Sequence, residues 1–195
     1  MALEKNHWTV RPLIHFMNFI SEAFSKKHHV ISIFCDLRKA FDTVNFDILF
    51  KKMHKLGIQN NELAWFRSYL KDRKQFVSLN DVNSSMQNIS IGVPQGSILG
   101  PILFLLYIND LPTASLFKSL LFADDTTLLA SGPDINELFN FANNELQKIV
   151  HFFRKNKLAL HPNKTNYMIF TTSPEARSTD CNLFINNNNF NRIVS

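Results

Sequence analysis

Apolar residues recur at helical spacing near the start of the chain, where Leu13, Phe16, Met17, Ile20 and Phe24 share one stripe. That pattern predicts a leading helix within residues 1–29. Residues 30–34 form a short β-branched run ending at Cys35-Asp36, the signature of a buried strand. Asn45 has the side chain to cap a helix with Ile48, Leu49, Lys52, Met53 and Leu56 on one side, ending at Gly57. A second helix is predicted over residues 62–70. Residues 75–79 and 86–91 read as two arms of a hairpin around a polar loop at 80–85.

Farther along, Gly92-Val93-Pro94-Gln95-Gly96 has the composition of a loop, and Pro101 suits the first turn of a helix running to Ile108. Residues 120–129 are apolar on both sides of Asp124-Asp125, as in a tight hairpin with two acids at its tip. Asp134-Ile135-Asn136-Glu137 is a capping box that predicts a helix reaching Arg154. The last predicted strand is 167–171. From Ser173 the sequence is polar, with Asn186 to Asn189 in a row, and predicts no packed element. Stripped of insertions, the order is the β-α-β-β-α-β of a split βαβ sheet, an α+β class. The strands from Val30 and Leu120 would be neighbours, with Asp36 and Asp124-Asp125 on one rim.

Composition narrows the class. At 195 residues the chain is the length of one domain, or one and a small part. Hydrophobic residues at 45% and charged residues at 19% exclude intrinsic disorder and allow a substantial core. With 19 Phe and only 5 Gly, a turn-dense all-β or collagen-like chain is disfavoured. Two cysteines, Cys35 and Cys181, cannot build a disulfide framework, so a reducing intracellular compartment is expected. The apolar run from Ile102 to Ile108 falls far short of the ~20 residues of a bilayer span and reads as a core helix. Glu4, Lys5 and His7 leave no apolar run for a signal peptide. The formal net charge of +5 is mild evidence for a polyanionic partner.

Carboxylates gathered at strand ends repel one another and raise each other's pKa, unless a divalent cation sits between them. Mg²⁺ takes one or two carboxylates plus phosphate oxygens and water, and two such ions about 3.5–4 Å apart clamp both oxygens of a phosphoryl transfer. Each acid also has a plainer reading. Asp favours turns, and Asp36 at a strand end is unremarkable alone. Asp42 reads as a cap for the segment before Asn45. The decamer from Gly92 to Pro101 holds three of the five glycines, which let backbone approach a ligand, although a plain loop before a core helix would look the same.

These residues resemble a known family. Asp36-Leu37-Arg38-Lys39-Ala40-Phe41-Asp42, the decamer Gly92-Val93-Pro94-Gln95-Gly96-Ser97-Ile98-Leu99-Gly100-Pro101, and Phe122-Ala123-Asp124-Asp125 closely resemble three ordered motifs of reverse transcriptases. So does Asn156-Lys157-Leu158 followed by Asn163-Lys164-Thr165. Including the connecting segment from Phe104 to Pro112, the match over residues 7–171 looks like the non-LTR (LINE) branch, jockey-like elements in particular. The resemblance implies a polymerase palm, a ferredoxin-like split βαβ antiparallel sheet with packed helices. It also implies RNA-directed DNA polymerase activity: transfer from a dNTP to a primer 3′-hydroxyl on an RNA template, with two Mg²⁺ ions or Mn²⁺. By position, Asp36 and Asp124 would be the principal metal ligands and Asp125 the third catalytic carboxylate. Leu37, Phe41, Gln95 and Gly96 would line the nucleotide pocket, with Phe41 as steric gate against a 2′-hydroxyl. Lys164 would protonate the pyrophosphate leaving group. Arg38 and Lys39 read equally as contacts to a nucleic-acid backbone and as a solvated charge pair.

The sequence departs from the family pattern at Trp8, where Ser usually follows the His, at Cys35, where a larger aliphatic is common, and at His161, where Asn is usual. None of these removes a carboxylate. Residues 1–172 are expected to be the palm, with 1–29 from the fingers–palm junction and 173–195 a polar tail where primer grip and thumb would begin. Fingers and thumb are expected to be largely missing and no endonuclease region is read. The expected location is the nucleus or a cytoplasmic ribonucleoprotein, with no membrane partner. The alternative is a truncated or domesticated, inactive remnant that binds RNA or a protein. A nucleotide cyclase, a third two-metal reading, lacks support, because the decamer and the Phe122 to Asp125 segment belong together in reverse transcriptases.

Overall fold

The computed structural model describes residues 7–161, 163–177, 182–185 and 188–193. In chain order its elements begin with α1 (His7–Ser25), β1 (His29–Cys35), α2 (Phe46–Lys55) and α3 (Asn60–Leu70). Four two-residue strands follow: β2 (Lys74–Gln75), β3 (Ser78–Leu79), β4 (Val82–Asn83) and β5 (Gln87–Asn88). Then come α4 (Leu99–Ile108), β6 (Lys118–Phe122), β7 (Asp125–Gly132), α5 (Ile135–Lys155) and β8 (Asn166–Phe170). The chain ends with α6 (Pro174–Arg177), β9 (Phe184–Ile185), β10 (Asn188–Asn189) and β11 (Asn191–Arg192). These elements form two compact units, the first comprising residues 1–38, 110–155 and 159–195, the second 39–109 and 156–158.

The first unit is built on a five-stranded sheet in the order β11-β8-β1-β7-β6. β1 runs antiparallel to both β7 and β8, β6 and β7 form a hairpin, and β11 joins β8 in parallel. The neighbour of β1 is therefore the second arm of the acidic hairpin, β7, and not the arm containing Leu120. β1 is apolar except at His29 and Ser32, because both of its faces are covered. Ile33 pairs with Leu128 and Tyr167 on one face, where Phe139 of α5 packs edge-on to Tyr167 at 6.0 Å. Phe34 points the opposite way by strand alternation, and Phe16 of α1 meets Phe34 at 6.3 Å and Phe170 at 5.7 Å. Asp134 caps α5 as expected, its Oδ1 accepting from the N–H groups of Asn136 and Glu137 at 2.8 and 2.9 Å.

The stripe on α1 is rotated from the expected one. Ile20 and Ala23 are buried and Phe16, Phe19 and Phe24 pack against them, while Leu13 and Met17 are exposed. Small Ala23 lets the helix approach, and an apolar count cannot weight that. Residues 1–6 of the expected leading helix, Cys181, Asn186 and Asn187 lie outside the described residues. Where the region after Ser173 is described it packs: Leu183 and Phe190 are buried.

In the second unit, Asn45 caps α2 by accepting from Ile48 N–H at 3.2 Å. α2 ends in a Schellman motif, with Gly57 N–H bonded to His54 O, Ile58 N–H to Met53 O, and Gly57 at φ +90°. Leu49, Phe50 and Met53 of α2 are buried, as are Leu103, Phe104, Tyr107 and Ile108 of α4. Lys52, read as part of the apolar side, reaches the Tyr107 carbonyl at 2.6 Å. The hairpin arms pair as β2 with β5 and β3 with β4. Its turn is tighter than the expected polar loop. Asn80 and Asp81 both take positive φ, the type I′ geometry for which these residues are favoured.

Candidate active site

β1 delivers Asp36. Its last residue, Cys35, pairs with Thr126, so Asp36 leaves the sheet at the end where β7 begins. β7 begins at Asp125, which pairs with Phe122, making Ala123 and Asp124 the two central residues of the hairpin turn. Ala123 sits at φ +52°, whereas Asp124 does not take positive φ, as in a type II′ turn. Asp36, Asp124 and Asp125, remote in sequence, thus stand at one rim of this unit's sheet. Asp36 is half-buried and the other two are exposed. None of the three carboxylates has a hydrogen-bond or ion-pair partner among the described residues.

The segment before β8 is stitched to the same position. Asp36 N–H donates to Thr165 Oγ1 at 3.3 Å, and Asp36 O accepts from His161 N–H at 2.8 Å. Leu37 bridges to Leu160, and Arg38 N–H donates to Ala159 O at 2.8 Å. Lys164 belongs to this segment, its N–H bonded to His161 O at 3.0 Å and its side chain exposed. Leu37 itself is buried. Asp125 also borders an apolar cavity of about 420 Å³ lined by Phe16, Phe34, Phe122, Met168 and Phe170.

The unpartnered carboxylates are hard oxygen donors of the kind Mg²⁺ takes, one or two at a time, with phosphate and water completing its shell. Among the described residues no group of three or more His, Cys, Asp or Glu side chains forms a ready metal cage.

The remaining expected residues belong to the second unit. The Phe41 ring is half-buried and lies 5.1 Å from the Phe104 ring. Gly92 N–H donates to Val44 O and Val93 N–H to Phe41 O, both at 2.8 Å. Gly92 has φ +85°, and a Cβ there would lie 2.7 Å from the Asp42 carbonyl oxygen, so only glycine permits the approach. Gln95 and Gly96 are exposed, and Gln95 Nε2 donates to Asp42 Oδ1 at 2.6 Å. Asp42 was expected to cap the segment before Asn45; its carboxylate holds Gln95 instead.

Lys39, Asp42, Arg73 and Gln75 line an open groove of about 380 Å³, whose wall Arg73 braces by donating to Gly92 O at 2.9 Å. Arg73 escaped the sequence reading. Its basic flank, Arg73-Lys74, resembles any solvated pair, and no local signal says that it folds back on residue 92.

A family model described as reverse transcriptase (RNA-dependent DNA polymerase) matches residues 2–184 of the chain. The chain belongs to the reverse transcriptase family. It is 32% identical over 178 residues to a probable RNA-directed DNA polymerase from transposon BS of Drosophila melanogaster, covering 87% of this chain and 20% of that protein. The corresponding protein of transposon X-element is 31% identical, covering 85% of this chain and 19% of the relative. The RNA-directed DNA polymerase from mobile element jockey is 33% identical over 137 residues, covering 66% of this chain and 15% of the relative. This reverse transcriptase domain is thus related to those of non-LTR retrotransposons and spans about a fifth or less of the length of these relatives. No helix among the described residues is long and apolar enough to cross a membrane.

Proposed function

We propose that the chain is the palm portion of an RNA-directed DNA polymerase, transferring nucleotides from dNTPs to a primer 3′-hydroxyl on an RNA template. The reading rests on one observation: Asp36 directly follows the central strand, Asp124 lies in the turn before the adjoining strand and Asp125 opens that strand, all three carboxylates unpartnered among the described residues. The antiparallel order β8-β1-β7-β6 supports a ferredoxin-like palm sheet, since it is what the β-α-β-β-α-β sequence produces. Residues 1–172 would form that palm, with 173–195 leading toward the primer grip.

Asp36 and Asp124 hold Mg²⁺ in this reading, and Asp125 adds the third negative charge. Mg²⁺ held there would supply Lewis-acid chemistry, lowering the pKa of the primer hydroxyl and neutralising charge on the nucleotide phosphates. Phe41, braced by Phe104, sits under the incoming sugar and excludes a 2′-hydroxyl. Gln95 and Gly96 contact the nucleotide in this reading, and Leu37 is likewise assigned to nucleotide binding. Lys164 delivers a proton, or at least positive charge, to the leaving pyrophosphate. Lys39 and Arg73 place positive charge along the groove of the second unit, suited to a phosphate backbone.

Primer extension on an RNA template with Mg²⁺ tests the reading. Wild-type chain should incorporate dNTPs, and Asp124→Asn should lower incorporation by about a hundredfold or more, the scale of removing one transition-state charge stabiliser. Extension that persists in Asp124→Asn, with melting temperature unchanged, would remove that carboxylate from the mechanism.

A further inference from the structure

We infer that Asp42 is a positioning residue: its carboxylate fixes the orientation of the Gln95 carboxamide and so sets which face of Gln95 a bound nucleotide meets. The inference rests on the proposed role of Gln95 in the nucleotide pocket and adds to it a residue which that role does not require.

A glutamine amide has a donor end and an acceptor end of nearly equal size, and a free one presents either. An ionised Asp accepts only. With Gln95 Nε2 donating to Asp42 Oδ1 at 2.6 Å, the reversed amide would set Oε1 against a carboxylate and lose a charge-assisted bond. The amide is thereby held one way, with Oε1 turned from Asp42 as a hydrogen-bond acceptor. An acceptor at a fixed place recognises a donor, such as a hydroxyl or amino N–H of a nucleotide.

The backbone around the pair makes the hold rigid. Val93 N–H reaches Phe41 O and Gly92 N–H reaches Val44 O, each at 2.8 Å, so the links bracket Asp42. Asn45 and Ile91 add a β-bridge beyond them. Gly92 rests directly on the backbone of Asp42, closer than any Cβ would allow. The segment that carries Phe41 and the loop that carries Gln95 are therefore one fastened element, and Asp42 is the side chain that extends the fastening to the Gln95 amide. Asp42 is exposed and at the wall of the groove, so it is not needed as core filling.

The test is the equilibrium affinity of the full chain for a non-hydrolysable dNTP with Mg²⁺ and primer–template, measured for wild type, Asp42→Ala, Asp42→Asn, Gln95→Ala and the double variant Asp42→Ala/Gln95→Ala. Asp42→Ala should weaken binding by about three- to tenfold, the scale of one hydrogen bond. Asp42→Asn, which can still accept through Oδ1, should recover part of the loss. In the Gln95→Ala background, Asp42→Ala should do nothing further, because no amide is left to orient. A merely structural Asp42 would show the same loss with and without Gln95. Additive losses, or full affinity in Asp42→Ala, overturn the positioning role while leaving the polymerase reading intact. A wild-type chain that binds no dNTP overturns the polymerase reading, and this inference with it.

Discussion

Cys35 and Asp36 are adjacent, yet their environments are opposite. Cys35 is the last paired residue of the central strand and is buried, whereas Asp36 emerges at the rim. Burial pushes the Cys35 thiol up to about 12, so at pH 8 the fraction present as thiolate, the reactive form, is negligible. A Cys181→Ser variant should therefore resist a disulfide thiol reagent at pH 8 until denaturant is added, and then react at once. Rapid native-state labelling would mean that the strand end opens locally. The shared rim of the three acids followed from the expected strand order, although each acid alone reads as an ordinary turn or strand-end residue and it was the family resemblance that singled them out. The contact of Asp42 was not legible, since its partner Gln95 is remote in the chain and nothing in either neighbourhood signals the pairing.

At the level of elements, what could be read was what is decided within a few residues. The Asn45 and Asp134 caps and the glycine stop of α2 follow from side chains and carbonyls in the same turn. The burial stripe of α1 depends on a sheet assembled from three other parts of the chain, and there the reading was rotated. The β6–β7 turn shows both cases. Its place was marked by two acids between apolar runs, but the strain within it was not. Ala123 holds a left-handed φ of +52° at the first turn position, where glycine is usual. A β-branched residue there is strongly disfavoured. Ala123→Val should destabilise the fold by about 1–3 kcal/mol in urea unfolding. Ala123→Gly should be neutral or slightly stabilising, because relief of strain offsets the added freedom of the unfolded chain. Equal losses for both variants would mean that packing of the methyl, not backbone conformation, governs the turn.

At the scale of the whole molecule, the sequence order foretold an antiparallel sheet with split βαβ connectivity, but not a chain divided into two units, with the boundary falling between Arg38 and Lys39 inside one motif. Contacts that tie remote segments are invisible to periodicity, and Glu145 is one of them. It lies on α5 with only 4% of its surface exposed, in the pattern of an apolar position. Its carboxylate accepts from Leu116 N–H at 2.7 Å, fastening the helix to the segment that enters β6, and from Lys148 Nζ at 2.6 Å. Burial by itself would raise the Glu145 pKa, but the Lys148 ammonium and the Leu116 N–H together outweigh it and hold the carboxyl below its ordinary value. Lys148 is half exposed, so solvent screens its share. A depressed native pKa means stability that is fully present above the unfolded value, about 4.3 for Glu, and lost as pH falls through the lower native one. Glu145→Gln keeps an acceptor for Leu116 but removes the charge, so it should be less stable than wild type at pH 7 by about 1 kcal/mol. As pH falls through that lowered native value the wild-type carboxyl takes up its proton, and the gap between the two proteins should narrow. Urea titrations at pH 7 and pH 3 make the comparison, and a gap that persists undiminished at pH 3 would place the cost in amide packing instead of lost charge.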